Sequence, residues 1–194
     1  MKKATKKDLP KVADILSRAY SNNPTVDSLF AKKPSQAKRN SLFSLLMLEQ
    51  IALDRVYLTD NDMGVAVFHN TQKAKSAPFI SAYIKLTILL GLTGLKNGTA
   101  TLKRQKNIAG KRLKAQHYYF WMLAVDPENK DMDTVFEMRD YIFELSRKNN
   151  IAVLAETPFD RTKRIYMRYG FTEYDKIVFR DDYTIYLLEW KNGL

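Results

Sequence analysis

The sequence predicts a mixed α/β or α+β sheet with helices on its faces. Three observations carry this. His117 to Val125 is a run of aromatic and aliphatic residues stopped by Asp126-Pro127, and it reads as a buried strand. Ile151 to Ala155 is a second such run, separated from the first by a segment with Val135, Met138, Ile142 and Leu145 at helical spacing. Two pairs of shorter runs, 55–59 with 65–68 and 171–178 with 183–189, flank turn residues and read as hairpins.

Taken in order, Leu9 to Tyr20 reads as a helix, with Val12, Ile15, Leu16 and Ala19 on one face. Asn22-Asn23-Pro24 breaks it, and Val26 to Phe30 makes a short helical turn. Ser35 is placed as the N-cap of the next helix, whose broad apolar face holds Leu42, Phe43, Leu45, Leu46, Leu48 and Ile51. Arg55 to Thr59 reads as a strand, Asp60 to Gly64 as a turn, and Val65 to Phe68 as the returning strand. Ala74 to about Lys114 reads as two helices hinged around Asn97-Gly98. After the long strand, Asp133 to Lys148 reads as a helix ended by Asn149-Asn150, with Thr134 to Glu137 as a capping box at its start. Phe159 to Tyr169 is a short helix stopped by Gly170. The last hairpin turns at Arg180-Asp181-Asp182.

At 194 residues the chain suits one domain with a sizeable core, carrying a helical, basic insertion at about 71–116. There is no cysteine, which excludes a disulfide framework and cysteine-ligated zinc. His69 and His117 are the only histidines and lie far apart, so no metal is expected. The most apolar segment, Phe79 to Leu95, is shorter than the roughly 20 residues of a membrane span and carries Lys85, so no membrane span is expected. Met1 to Asp8 leads into an amphipathic pattern rather than an apolar signal segment, and the expected location is cytoplasmic.

The net charge is +11 and unevenly spread: no Asp or Glu occurs between Met63 and Val125, where Lys96, Lys103, Arg104, Lys106, Lys111, Arg112 and Lys114 fall. Such a stretch attracts nucleic acid, acidic substrates or coenzyme phosphates, or simply keeps a face solvated. A nucleic-acid module is disfavoured, because aromatics are not interleaved with the basic run from Lys96 to Lys114. No nucleophilic triad, Walker loop or Rossmann fingerprint is present. Glu156 follows a strand at its C-terminal end, where α/β sites lie, and can take a proton from an amine, directly or through water, or merely orient a loop. His117 opens a buried strand and reads as a satisfied core residue.

Several motifs in order carry a resemblance. They are Ala19-Tyr20-Ser21-Asn22-Asn23-Pro24, Val56 to Asp60, Gly64 to Phe68, His117-Tyr118-Tyr119, Leu123-Ala124-Val125-Asp126-Pro127, Leu154-Ala155-Glu156-Thr157, and Tyr166 with Gly170-Phe171. Over nearly its whole length the chain resembles acyl-CoA-dependent acyltransferases of the GNAT type. The resemblance implies a mostly antiparallel central sheet, helices on both faces, and a splayed strand pair. It implies transfer of an acyl group, acetyl-CoA being the donor, directly to an amine. Backbone groups of Leu123, Ala124 and Val125 would hold the acyl and pantetheine carbonyls, Tyr166 would protonate the departing thiolate, and Lys130 keeps the basic first position of the pyrophosphate loop. A small-molecule amine is the implied partner, and a homodimer is compatible with it.

The chain departs from the family at that loop. Asp131, Asp133 and Val135 stand where the family places glycines that let the backbone approach the pyrophosphate. Two carboxylates there repel a phosphate. The alternative function is therefore a GNAT-fold protein without transfer activity, binding another ligand or a partner.

Overall fold

A computed structural model of the chain describes residues 1–73, 80–179 and 184–191. Its strands are β1 (Lys2–Lys3), β2 (Val56–Leu58), β3 (Gly64–Asn70), β4 (His117–Val125), β5 (Ala152–Thr157), β6 (Thr172–Val178) and β7 (Thr184–Trp190). The helices are α1 (Leu9–Ala19), α2 (Pro24–Asp27), α3 (Gln36–Ala52), α4 (Ile80–Lys111), α5 (Asp133–Asn149) and α6 (Asp160–Arg168). The strands form one sheet in the order β1-β2-β3-β4-β5-β7-β6. Every neighbouring pair is antiparallel except β4 with β5, which is parallel. The sheet is thus mixed and mostly antiparallel, as the sequence predicts.

Each face of the sheet has its own core. On one, α1 and α3 bury Val12, Leu16, Leu42 and Phe43 against Val65, Val67 and Ala124. On the other, α5 buries Met138, Ile142 and Phe143 against Ala66, Phe68, Phe120 and Val153. Each fully buried aliphatic or aromatic side chain stabilises the fold by about 1.5–3 kcal/mol relative to exposure. Local signals set the ends. Ser35 accepts from the Lys38 N–H at 3.4 Å, Asn150 closes α5 in the left-handed region, and Gly170 follows α6 at φ +87°.

The two readings that fail concern α4 and α5. The break in α4 falls at Gly91 (φ 63°, ψ −166°), whereas Asn97 and Gly98 continue the helix. The capping box of Thr134 and Glu137 does not form. Thr134 turns its hydroxyl to the Asn61 and Asn129 amides, both at 2.8 Å, and Glu137 accepts the Asp60 N–H at 3.0 Å. Gly64 makes room for this, since a Cβ there would meet Thr134 at 2.7 Å. The start of the insertion from Ala74 and the turn at Arg180 to Asp182 lie outside the described residues. Among the described residues no helix is long and apolar enough to cross a membrane.

β4 sets the geometry of the site. Val67 faces Met122 and Phe68 faces Phe120, so Trp121 is an extra residue on β4, a bulge. β4 pairs with β5 only from His117 to Phe120, opposite Ala152 to Ala155. From the bulge onward β4 diverges from β5. This is the splayed pair the resemblance implies.

Candidate active site

The divergence of β4 from β5 opens a cleft of about 710 Å³. Its walls are β4 from Tyr119 to Val125, the end of β5 with Glu156 and Thr157, the α1–α2 loop from Tyr20, one side of α6 with Thr162 and Tyr166, and Arg104, Gln105 and Ile108 of α4. The structure thereby brings Tyr166, Glu156, Leu123, Ala124 and Val125 to one cavity. Lys130 is exposed in the β4–α5 loop and does not line it.

Ladder alternation decides which backbone groups face the cleft. Asp126 donates its N–H to Met63 at 2.8 Å, and antiparallel pairs alternate between bonded and non-bonded. Ala124 and Met122 therefore bond toward β3, while Leu123 and Val125 turn their N–H and C=O groups to the open side. The Leu123 carbonyl accepts the Tyr20 hydroxyl at 3.3 Å. Burial pushes the Tyr20 phenol up to about 12, so it stays protonated and holds that bond.

Tyr166 packs its ring edge-on against Phe171, centroids 4.9 Å apart, and its hydroxyl has no hydrogen-bond partner among the described residues. Burial, with Tyr20 nearby, pushes the phenol well above its ordinary value. Glu156 lies deeper in a cluster. Arg112 Nε donates to Oε1 at 2.5 Å and the Tyr119 hydroxyl donates to Oε2 at 3.0 Å. The Arg112 guanidinium also lies over the Tyr119 ring at 3.6 Å. Burial, followed by Glu156, drives the Tyr119 phenol far up.

Sequence reasoning missed the ties that hold this cleft. Arg18 of α1 grips the buried Asp126 with both terminal nitrogens, one at 2.8 Å, and Asp14 with Nε at 2.9 Å. The exit of β4 is thus locked to α1. The Asp126-Pro127 stop was visible in the sequence; its partner, 108 positions away, was not.

The start of α5 is closed to an anion. Asp131 accepts the Asp133 N–H at 2.9 Å, and Asn129 accepts the Asp131 N–H at 3.1 Å. Side chains of this chain therefore take two of the N–H groups that a phosphate would use, and the Met132 carbonyl takes those of Val135 and Phe136. The histidines lie elsewhere. His117, read from the sequence as a satisfied core residue, is buried and bonds Ala115 through Nδ1 at 2.8 Å, but its Nε2 has no partner among the described residues, and burial lowers its basicity. Burial lowers His69 to about 4, with Arg55 and Arg112 adding to it. No cluster of metal-ligating side chains occurs among the described residues.

The sequence matches no protein-family model and no curated protein. Solved structures do match. A Corynebacterium glutamicum protein described as histone acetyltransferase HPA2 and related acetyltransferase is 21% identical, with a TM-score of 0.64 over 100% of this chain and 95% of that one. Arylalkylamine N-acetyltransferase 2 from Aedes aegypti is 10% identical, with a TM-score of 0.64 over 99% and 98%. A Drosophila melanogaster polyamine N-acetyltransferase that forms N-acetylagmatine is 12% identical, with a TM-score of 0.58 over 98% of each chain. The chain shares the fold of these solved acetyltransferases.

Proposed function

We propose that this chain is an N-acyltransferase that passes an acyl group from a pantetheine thioester directly to a small amine. The opening between β4 and β5 carries the reading, because it offers backbone groups of Leu123 and Val125 that no neighbouring strand pairs, in the same cleft as a Tyr166 hydroxyl with no partner among the described residues. An N–H of that edge donates to the thioester carbonyl oxygen, the amine nitrogen attacks, the C–N bond forms, the C–S bond breaks and the thiolate leaves. Tyr166 donates a hydrogen bond to the departing sulfur. The amine's proton passes through water to Glu156, whose carboxylate Arg112 and Tyr119 orient.

The acyl group the resemblance implies is acetyl, with acetyl-CoA as donor. The arm of that cosubstrate fits the opened edge of β4. Its diphosphate does not fit the start of α5, and no step runs through it. The neighbours' descriptions as arylalkylamine and polyamine acetyltransferases support a small amine. Glu156, the only carboxylate in the described cleft lining, is already paired with Arg112, which disfavours a polycationic acceptor. A second reading, a binding protein without transfer activity, is favoured by the closed α5 start alone.

The test is thiol release from acetyl-CoA and from acetyl-pantetheine across a panel of arylalkylamines and other small amines. The chain has no cysteine, so a thiol reagent meets no protein background. Release with any amine is expected; none with either donor, together with no binding of either or of any other pantetheine thioester, removes the transferase reading and leaves the second. Asp131→Gly with Asp133→Gly frees the α5 N–H groups and removes two charges. It is expected to tighten acetyl-CoA roughly five- to tenfold by calorimetry, and an unchanged or weaker affinity refutes the closure argument.

A further inference from the structure

α6 has two unlike faces. Thr162 and Tyr166 line the cleft. Arg161, Arg164, Ile165 and Arg168, spaced as one helical stripe, are all exposed on the other side. The three arginines form no ion pair with any described residue, whereas Lys163 on the same helix pairs with Glu173. Ile165 is 39% exposed, and Phe159, just before the helix, is 47% exposed while also lining the cleft. A basic stripe with an apolar centre therefore lies on the outer face of α6, and Phe159, exposed and lining the cleft, joins it to the opening. Asp160 is the single acidic residue of the helix.

We infer that the acyl donor reaches the cleft on the pantetheine arm of a small acidic carrier protein, which docks on the exposed face of α6. This rests on the acyltransferase reading above. Two independent observations meet here. Where a diphosphate would seat, the side chains of Asn129 and Asp131 take the N–H groups of Asp131 and Asp133, so free coenzyme loses anchoring groups. The arm-binding edge of β4 is nevertheless intact. A carrier protein supplies an arm without a diphosphate and brings its own anchor, an acidic surface. Unpaired arginines around Phe159 and Ile165 complement it in charge, and the chain's net charge of +11 steers it in. In the reaction the acyl carbon passes from the arm's sulfur to the amine nitrogen, and the carrier leaves with a free thiol.

The experiment compares the binding of three donors to the whole chain: acetyl-CoA, acetyl-pantetheine without phosphates, and an acidic acyl carrier protein bearing acetyl-phosphopantetheine. The carrier is expected to bind at least about tenfold more tightly than acetyl-CoA and to weaken with salt. Acetyl-pantetheine is expected to bind within about threefold of acetyl-CoA, the diphosphate adding little. Arg161→Glu with Arg164→Glu, checked by an unchanged melting temperature, is expected to weaken the carrier about tenfold or more and leave acetyl-pantetheine alone. Tighter binding of acetyl-CoA than of the carrier, or a carrier indifferent to the charge reversal, overturns the inference while transfer activity stands. Failure of all three donors to bind overturns it together with the acyltransferase reading.

Discussion

Replacing Tyr166 by phenylalanine is expected to lower turnover about 10²-fold, the low end for a positioned acid, and to leave donor affinity within about twofold. The packing against Phe171 survives and the donor group goes. Burial raises this phenol far above the thiol range near 8.5, so it offers the sulfur a hydrogen bond rather than surrendering its proton fully. The sign for pH follows. A raised pKa keeps the needed protonated form present throughout, so turnover should show no alkaline decline from Tyr166 up to about pH 10. Rate measurements with an amine found by the thiol screen test both points. Unchanged turnover in Tyr166→Phe, with chemistry rate-limiting, would leave Tyr166 a packing residue.

Arg18→Ala is expected to destabilise the fold by about 2–3 kcal/mol, because it strips the partner from a buried carboxylate. The estimate sits below the full value for a buried pair since Arg18 is 29% exposed while Asp126 is 6% exposed. For a chain of this size that lowers the melting temperature by roughly 5–10 °C. Arg18→Met with Asp126→Asn should recover part of the loss, since no buried charge is then left unpaired and Asp14 is 43% exposed. An unchanged melting temperature in Arg18→Ala would show that water replaces the pair.

What the sequence made legible was local. Asp126-Pro127 ends β4, Asn149-Asn150 ends α5, Ser35 opens α3 and Gly170 follows α6, each through a dihedral or a cap set by residues in place. The misreadings are long-range. Thr134 and Glu137 look like partners three positions apart, yet Asn61 and Asp60, more than 70 positions earlier, draw both away. Glu156 was visible as a strand-end carboxylate, but Arg112, 44 positions upstream, determines its surroundings. In α4 the glycines at 91 and 98 are equivalent as letters, and only the first breaks the helix.

The bulge at Trp121 has a further consequence. It acts on β4 as a phase shift. Before it, Tyr118 and Phe120 point toward α5; beyond it, the odd-numbered Leu123 and Val125 do, while Trp121, Met122 and Ala124 point toward α1 and α3. Written in letters, the strand is a single uninterrupted hydrophobic signal. In three dimensions it is two alternating signals half a period apart, joined at one residue. A polar replacement at 118 or 120 is therefore equivalent to one at 123 or 125, and not to one at 122 or 124, so a substitution scan of β4 would locate the joint without any structure.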